Sequence, residues 1–91
     1  MSRQVSGVGR LISISGGRRI LEVAGRPMFE LNPVAAIIWE KLVAGLETPD
    51  IIDQIVVQFR VPEDQAARDV LNFIEELKRR LLVFDDSQSA L

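Results

Sequence analysis

Catalysis in a small domain depends on side chains that can attack, move protons or hold a metal, and this chain of 91 residues has few of them. It has no histidine and no cysteine. That removes the usual general base at neutral pH, the thiolate nucleophile and the common transition-metal ligands. Ser13 and Ser15 alternate along an extended stretch with no imidazole to activate either hydroxyl. Glu75-Glu76 lies in a charged helical stretch and reads as a solvated face rather than an acid–base pair. Asp85-Asp86 lies in a polar tail. Gly7, Gly9, Gly16 and Gly17 make no dinucleotide fingerprint, because no helix follows at the required spacing. Arg18-Arg19 has the charge to meet a phosphate, yet its place beside a turn explains its exposure without one. No catalytic residue, metal or cofactor is expected, and the chain reads as a binding module rather than an enzyme.

The element that organises the chain is Leu31-Asn32-Pro33 and the apolar run after it. Asn32 suits a helix N-cap, because its side-chain oxygen can accept from a free first-turn amide. Pro33 suits the first helical position, where its missing N–H costs nothing. Val34, Ala35, Ile37, Ile38, Trp39 and Leu42 make the helix apolar around most of its circumference, as a central buried post requires. Gly45 then marks its end. A second helix opens at Thr48-Pro49-Asp50, with Thr48 as cap and Ile51, Ile52, Ile55, Val56 and Phe59 as its stripe. A third opens at Pro62-Glu63-Asp64 and buries Ala66, Val70, Ile74, Leu77 and Leu81. Lys78-Arg79-Arg80 complements the negative end of its dipole. Leu82-Val83-Phe84 either packs back or extends.

Upstream of residue 31 the pattern is that of strands. Gly16-Gly17 between two β-favouring runs predicts a hairpin with a two-residue loop, pairing Ser15 with Arg18 and Ile12 with Leu21. Ile12, Ile14, Leu21 and Val23 then share one face. A three-residue turn over Ala24-Gly25-Arg26 sets Phe29 opposite Leu21 and turns Phe29 and Leu31 into the core. The outer face keeps Leu11, Ile20 and Met28 among Arg18, Glu22 and Glu30. In this meander the third strand, Pro27 to Leu31, is an edge. Pro27 fits there because it cannot donate to a ladder. The predicted fold is α+β and winged-helix-like, an N-terminal three-stranded antiparallel sheet followed by three α-helices. Residues 1–9 read as a flexible lead-in, 10–84 as a single domain and 85–91 as a polar tail.

Charge is uneven along the chain. Residues 1–31 hold five arginines against two glutamates, a net +3, while residues 32–91 hold six basic against eleven acidic side chains, a net −5. A winged-helix DNA-binding protein is the alternative class for such an element order. The first turns of the second and third helices carry Asp50, Asp53, Glu63 and Asp64, where phosphate contacts would need basic or amide groups. No partner nucleic acid is expected. The chain has no apolar run of membrane-spanning length, and its polar, glycine-bearing start is unlike a signal peptide. A soluble, cytoplasmic protein without membrane association is the expectation.

The order of signals resembles the PqqD-like family across roughly residues 10–83. Leu31-Asn32 precedes an apolar helix with Ile38-Trp39 and Leu42. Thr48 through Ile55 follows, then Asp69-Val70-x-x-Phe73-x-x-Glu76-Leu77 and a closing Leu81-Leu82. Many relatives carry glycine before that final leucine, where this chain has Leu81. The resemblance implies a RiPP recognition element, a non-enzymatic peptide chaperone. Such a protein binds the leader of a ribosomally made precursor peptide and presents it to a modifying enzyme, frequently a radical SAM enzyme, as in pyrroloquinoline quinone or related biosynthesis. The leader adds to the third strand in the groove beside the third helix, which is recognition by strand addition. Carried over by position, the peptide lies against Pro27, Met28, Phe29 and Glu30. The facing wall is one of two flanks of the third helix, either Leu71, Glu75 and Lys78 or Asp69, Phe73, Glu76 and Arg80, and the first is preferred. The same open edge also permits self-pairing into a homodimer.

Overall fold

The structure, a computed structural model, describes residues 3–7 and 9–85. The elements run β1 (Arg3–Val5), β2 (Gly9–Ile14), β3 (Arg18–Val23), β4 (Arg26–Leu31), α1 (Pro33–Val43), α2 (Thr48–Phe59), α3 (Glu63–Arg79) and β5 (Val83–Asp85). β2, β3 and β4 form an antiparallel meander in that order, and three helices follow, as the α+β reading requires. A second, two-stranded ribbon joins β1 to β5, with Gln4 opposite Phe84 and Val5 opposite Val83. The first nine residues therefore hold a strand and the start of another, where a flexible lead-in was expected. Of the expected polar tail, Asp85 ends β5, and 86–91 lie outside the described residues.

The hairpin register differs from expectation by one residue. Ser15 joins Gly16 and Gly17 in a 3-10 turn, with both glycines at positive φ (79° and 74°). Ile14 rather than Ser15 thus pairs with Arg18, and Leu11 rather than Ile12 pairs with Leu21. The physical reason lies at the far end of the strand. The expected register would have turned Arg10 into the core opposite Val23. The observed one sets Arg10 opposite Glu22 on the outer face and brings Gly9 inward. The outer apolar row is accordingly Ile12, Ile14 and Ile20, and Leu11 belongs with the partly buried residues packed on the core.

The next connection also departs in form while keeping its consequence. The loop is two residues long, Ala24 and Gly25, both at positive φ (53° and 80°). The odd residue sits instead in β4. Glu22 pairs with Pro27 and Leu21 with Phe29, so Met28 is the extra residue of a β-bulge. Phe29 lies opposite Leu21, as the parity argument demanded, and Leu31 is buried.

Asn32 caps α1, its Oδ1 accepting from the Ala35 amide at 2.8 Å, and Pro33 is the first helical residue. At the other end Gly45 (φ 91°) and Leu46 donate to the carbonyls of Leu42 and Lys41, both at 3.0 Å, closing a Schellman motif. α2 starts one residue earlier than expected. Glu47 holds the cap position, its carbonyl accepting from Ile51, and Thr48 is already helical. α3 starts after Pro62 without a side-chain cap. The core gathers Leu21 and Leu31 of the sheet with Ala36, Ile38, Trp39, Leu42, Ile51, Ile55, Ala66, Val70, Ile74, Leu77, Leu82 and Val83. Leu81, expected in this line, is 67% exposed because the chain leaves the helix there in the left-handed conformation (φ 60°). Leu82 and Val83 then pack back. No helix among the described residues is long and apolar enough to cross a membrane.

Candidate functional site

Among the described residues β4 has β3 as its one strand neighbour in the sheet, so its other side is an open ladder edge there. A short open edge is a liability unless it is covered or used. Pro27, Met28 and Glu30 are exposed and Phe29 is half-buried, so the four strand residues picked from the sequence form one continuous stretch of that edge. The bulge at Met28 twists it locally. On the outer face Glu30 is held from the neighbouring strand: Arg18 Nη2 and Nε donate to its two carboxylate oxygens at 2.8 and 3.0 Å. That hydrogen bonding, opposed by desolvation and assisted by the Arg18 charge, holds the Glu30 carboxyl below the usual carboxylate range.

α3 supplies the facing side. The Arg80 guanidinium lies over the Phe29 ring, 4.6 Å from its centroid. Further along, Asp69, Asn72 and Phe73 meet Asn32, Val34, Ala35 and Ile38 around a hollow of about 240 Å³ just past the end of β4. The helix therefore runs antiparallel to the strand, with Arg80 beside Phe29 and Asp69 beside Asn32. These contacts select between the two flanks. Asp69, Phe73, Glu76 and Arg80 recur at helical spacing on the side turned toward β4. Leu71, Glu75 and Lys78, the flank preferred from the sequence, recur on a stripe well round the helix from it. Leu71 is 51% exposed there, and Lys78 stands 3.9 Å from Glu75. The structure thus brings Phe29 of that edge to Arg80 of the second flank, and Asp69 and Phe73 of the same flank to the Asn32 end of the strand. Phe73 is an aromatic residue in an otherwise charged stripe, but Leu71 gives the other flank an apolar residue as well, so the sequence alone did not separate them. Asn72, three residues after Asp69 and four before Glu76, borders the same flank, and its uncharged amide gave no signal in the sequence.

A larger hollow, about 600 Å³, lies elsewhere and meets the site at Glu30 to Asn32. Arg19, Leu31, Pro33, Ile37 and Phe59 help line it between the hairpin end and the α1–α2 pair. Arg19 is a core-side residue of β3 whose Nε is buried without an acceptor, and whose Nη2 stands 3.6 Å from Glu40. That hollow offers a buried guanidinium nitrogen and apolar walls, whereas the β4 side offers an open backbone edge with Arg80 of α3 beside Phe29. Among the described residues no three His, Cys, Asp or Glu side chains gather to hold a metal.

Two solved structures share this architecture. One is a lasso peptide synthetase B1 complexed with the leader peptide, with a TM-score of 0.76 and 20% identity over 93% of this chain and 100% of that one. The other is TbiB1 in complex with the TbiA(beta) leader peptide, with a TM-score of 0.73 and 24% identity over 88% and 93%. At such identities the likeness is one of fold. No curated protein matches the chain. The model of one family, described as coenzyme PQQ synthesis protein D, matches residues 19–83, from β3 through all three helices into β5, and the chain belongs to this PqqD family.

Proposed function

We propose that this protein is a non-catalytic peptide chaperone that binds the leader of a ribosomally made precursor by adding it as a further strand on β4. The observation that carries this reading is the open edge of Pro27 to Glu30 beside the Phe73 and Arg80 flank of α3. It is supported by the family and by a fold that two solved proteins use in complexes with leader peptides. Backbone hydrogen bonds along β4 supply affinity, and side chains reaching toward α3 supply choice. A modifying enzyme, with a radical SAM enzyme as the leading class, then works on a peptide held at high effective concentration. The pathway is quinone cofactor or related peptide maturation. DNA binding is disfavoured, because Asp50, Glu63 and Asp64 occupy the first turns of α2 and α3.

The test is a titration of isotope-labelled protein with leader peptides of precursors encoded beside its gene, read as backbone amide shifts. Residues 26–31 and the 69–80 face of α3 are expected to move together. If every leader leaves them still while another surface responds, strand addition on β4 is wrong. A steeply salt-dependent response to duplex DNA at the same concentrations would favour the winged-helix alternative. Self-pairing through the edge would appear as concentration-dependent shifts of the same amides without peptide.

A further inference from the structure

The groove has a charged end whose geometry goes beyond generic strand capture. Glu76 is shared between two arginines: Oε2 takes Arg79 Nη2 at 2.8 Å, and Oε1 takes Arg80 Nη2 at 3.0 Å and Nε at 3.2 Å. One carboxylate thus answers two guanidiniums. Arg80 spends its Nε–Nη2 side on Glu76 and one flat face on Phe29, so its plane is fixed from two directions. The end-on Nη1–Nη2 fork remains, on a side chain that is 43% exposed. A guanidinium fork held in place matches a carboxylate in bidentate fashion and loses little entropy on binding. Because Phe29 is the middle of the proposed docking strand, this fork stands beside the path of an added peptide.

We infer that Arg80 is a specificity residue that selects peptides carrying an aspartate or glutamate at the position passing Phe29. The inference rests on the strand-addition reading and adds to it the chemistry of one peptide side chain. Glu76 acts as a positioning residue, holding the fork in plane. A lysine in place of Arg80 would keep the charge and lose the fork. At the other end, Asp69 and Asn72 beside Phe73 have no cation with them among the described lining residues and set no matching demand.

The experiment pans a displayed pool of random twelve-residue peptides on the full chain, in parallel on wild type, Arg80→Gln and Arg79→Gln. Winners are synthesised with Glu, Gln or Lys at the enriched position, and their binding is located by the amide shifts of residues 26–31. The expected result is an acidic residue at one fixed register in the wild-type pool. Replacing it with Gln should weaken binding about tenfold, the scale of a charge-assisted hydrogen bond. The preference should vanish with Arg80→Gln and survive Arg79→Gln. Winners that dock on β4 without charge preference overturn this inference and leave strand addition standing. Equal loss in both variants assigns the preference to net charge and also overturns it. A pool with no peptide acting on residues 26–31 overturns the strand-addition reading itself.

Discussion

Leu81 is a residue in a glycine's place. Its φ of 60° closes a Schellman motif on α3, in which the Leu81 amide donates to Lys78 at 3.0 Å and the Leu82 amide to Leu77 at 2.9 Å. Gly45 does the same work after α1 at no steric cost. A β-carbon in the left-handed region costs about 1–2 kcal/mol. Leu81 recovers little of that through burial, since it is 67% exposed. The turn persists because the two hydrogen bonds and the burial of Leu82 and Val83 just beyond it outweigh the local strain. Leu81→Gly is therefore expected to stabilise the protein by about 1 kcal/mol, the strain relieved being partly offset by the added freedom of the unfolded chain. Denaturant unfolding measures this directly. A lower midpoint would mean that the exposed leucine makes contacts worth more than the strain.

At the scale of elements, the helices and the existence of the meander were legible, and the strand registers only in part. The caps are local chemistry, so Asn32-Pro33 and Gly45 announced both ends of α1 without any tertiary information. The parity of β4 was legible too, because Phe29 and Leu31 had to face inward. Whether the odd residue entered the turn or a bulge was not, since either gives the same facing residues. The hairpin register misled because the run Ile12, Ile14, Leu21, Val23 is self-consistent on one face. It competes with a register in which the inward position is a glycine, which apolar counting scores as nothing. What decides is Trp39. A β-carbon on Gly9 would lie 2.8 Å from its Cη2 and 3.0 Å from its Cζ2, so the indole, 3% exposed, occupies the space of a missing side chain. Gly9→Ala should accordingly overpack the sheet–α1 contact and cost about 1–3 kcal/mol, with a change in tryptophan fluorescence of the folded state. An unchanged midpoint together with unchanged fluorescence would show that Gly9 does not set the register. The choice of α3 flank was illegible for a related reason: both flanks mix apolar and charged residues at helical spacing. Only the approach of Arg80 to Phe29, across a sequence separation no local rule reaches, tells which one turns toward β4.

On the scale of the whole molecule, two edges are treated in opposite ways. β5 is covered: β1 pairs with it, the Ser6 amide donates to the Leu82 carbonyl at 2.9 Å, and Val5 packs half-buried on the core. β4, in a different sheet, has no second strand partner among the described residues. The ribbon therefore ties the start of the chain to the segment leaving α3, and it does so in a sheet separate from the proposed peptide edge. If stability and binding are divided in this way, a chain beginning at Ser6 should lose the first and keep the second. Removing Val5 and the strand bonds is expected to cost about 2 kcal/mol, the sum of a partly buried valine and a few net hydrogen bonds. Below its lowered midpoint, the shortened chain should still show leader-induced shifts at residues 26–31. Unfolding curves and the same titration, run on both chain lengths, separate the outcomes. Equal midpoints would mean that β1 contributes nothing to the fold. A folded but unresponsive short chain would place part of the peptide site on the ribbon, and the edge of β4 would no longer suffice to explain binding.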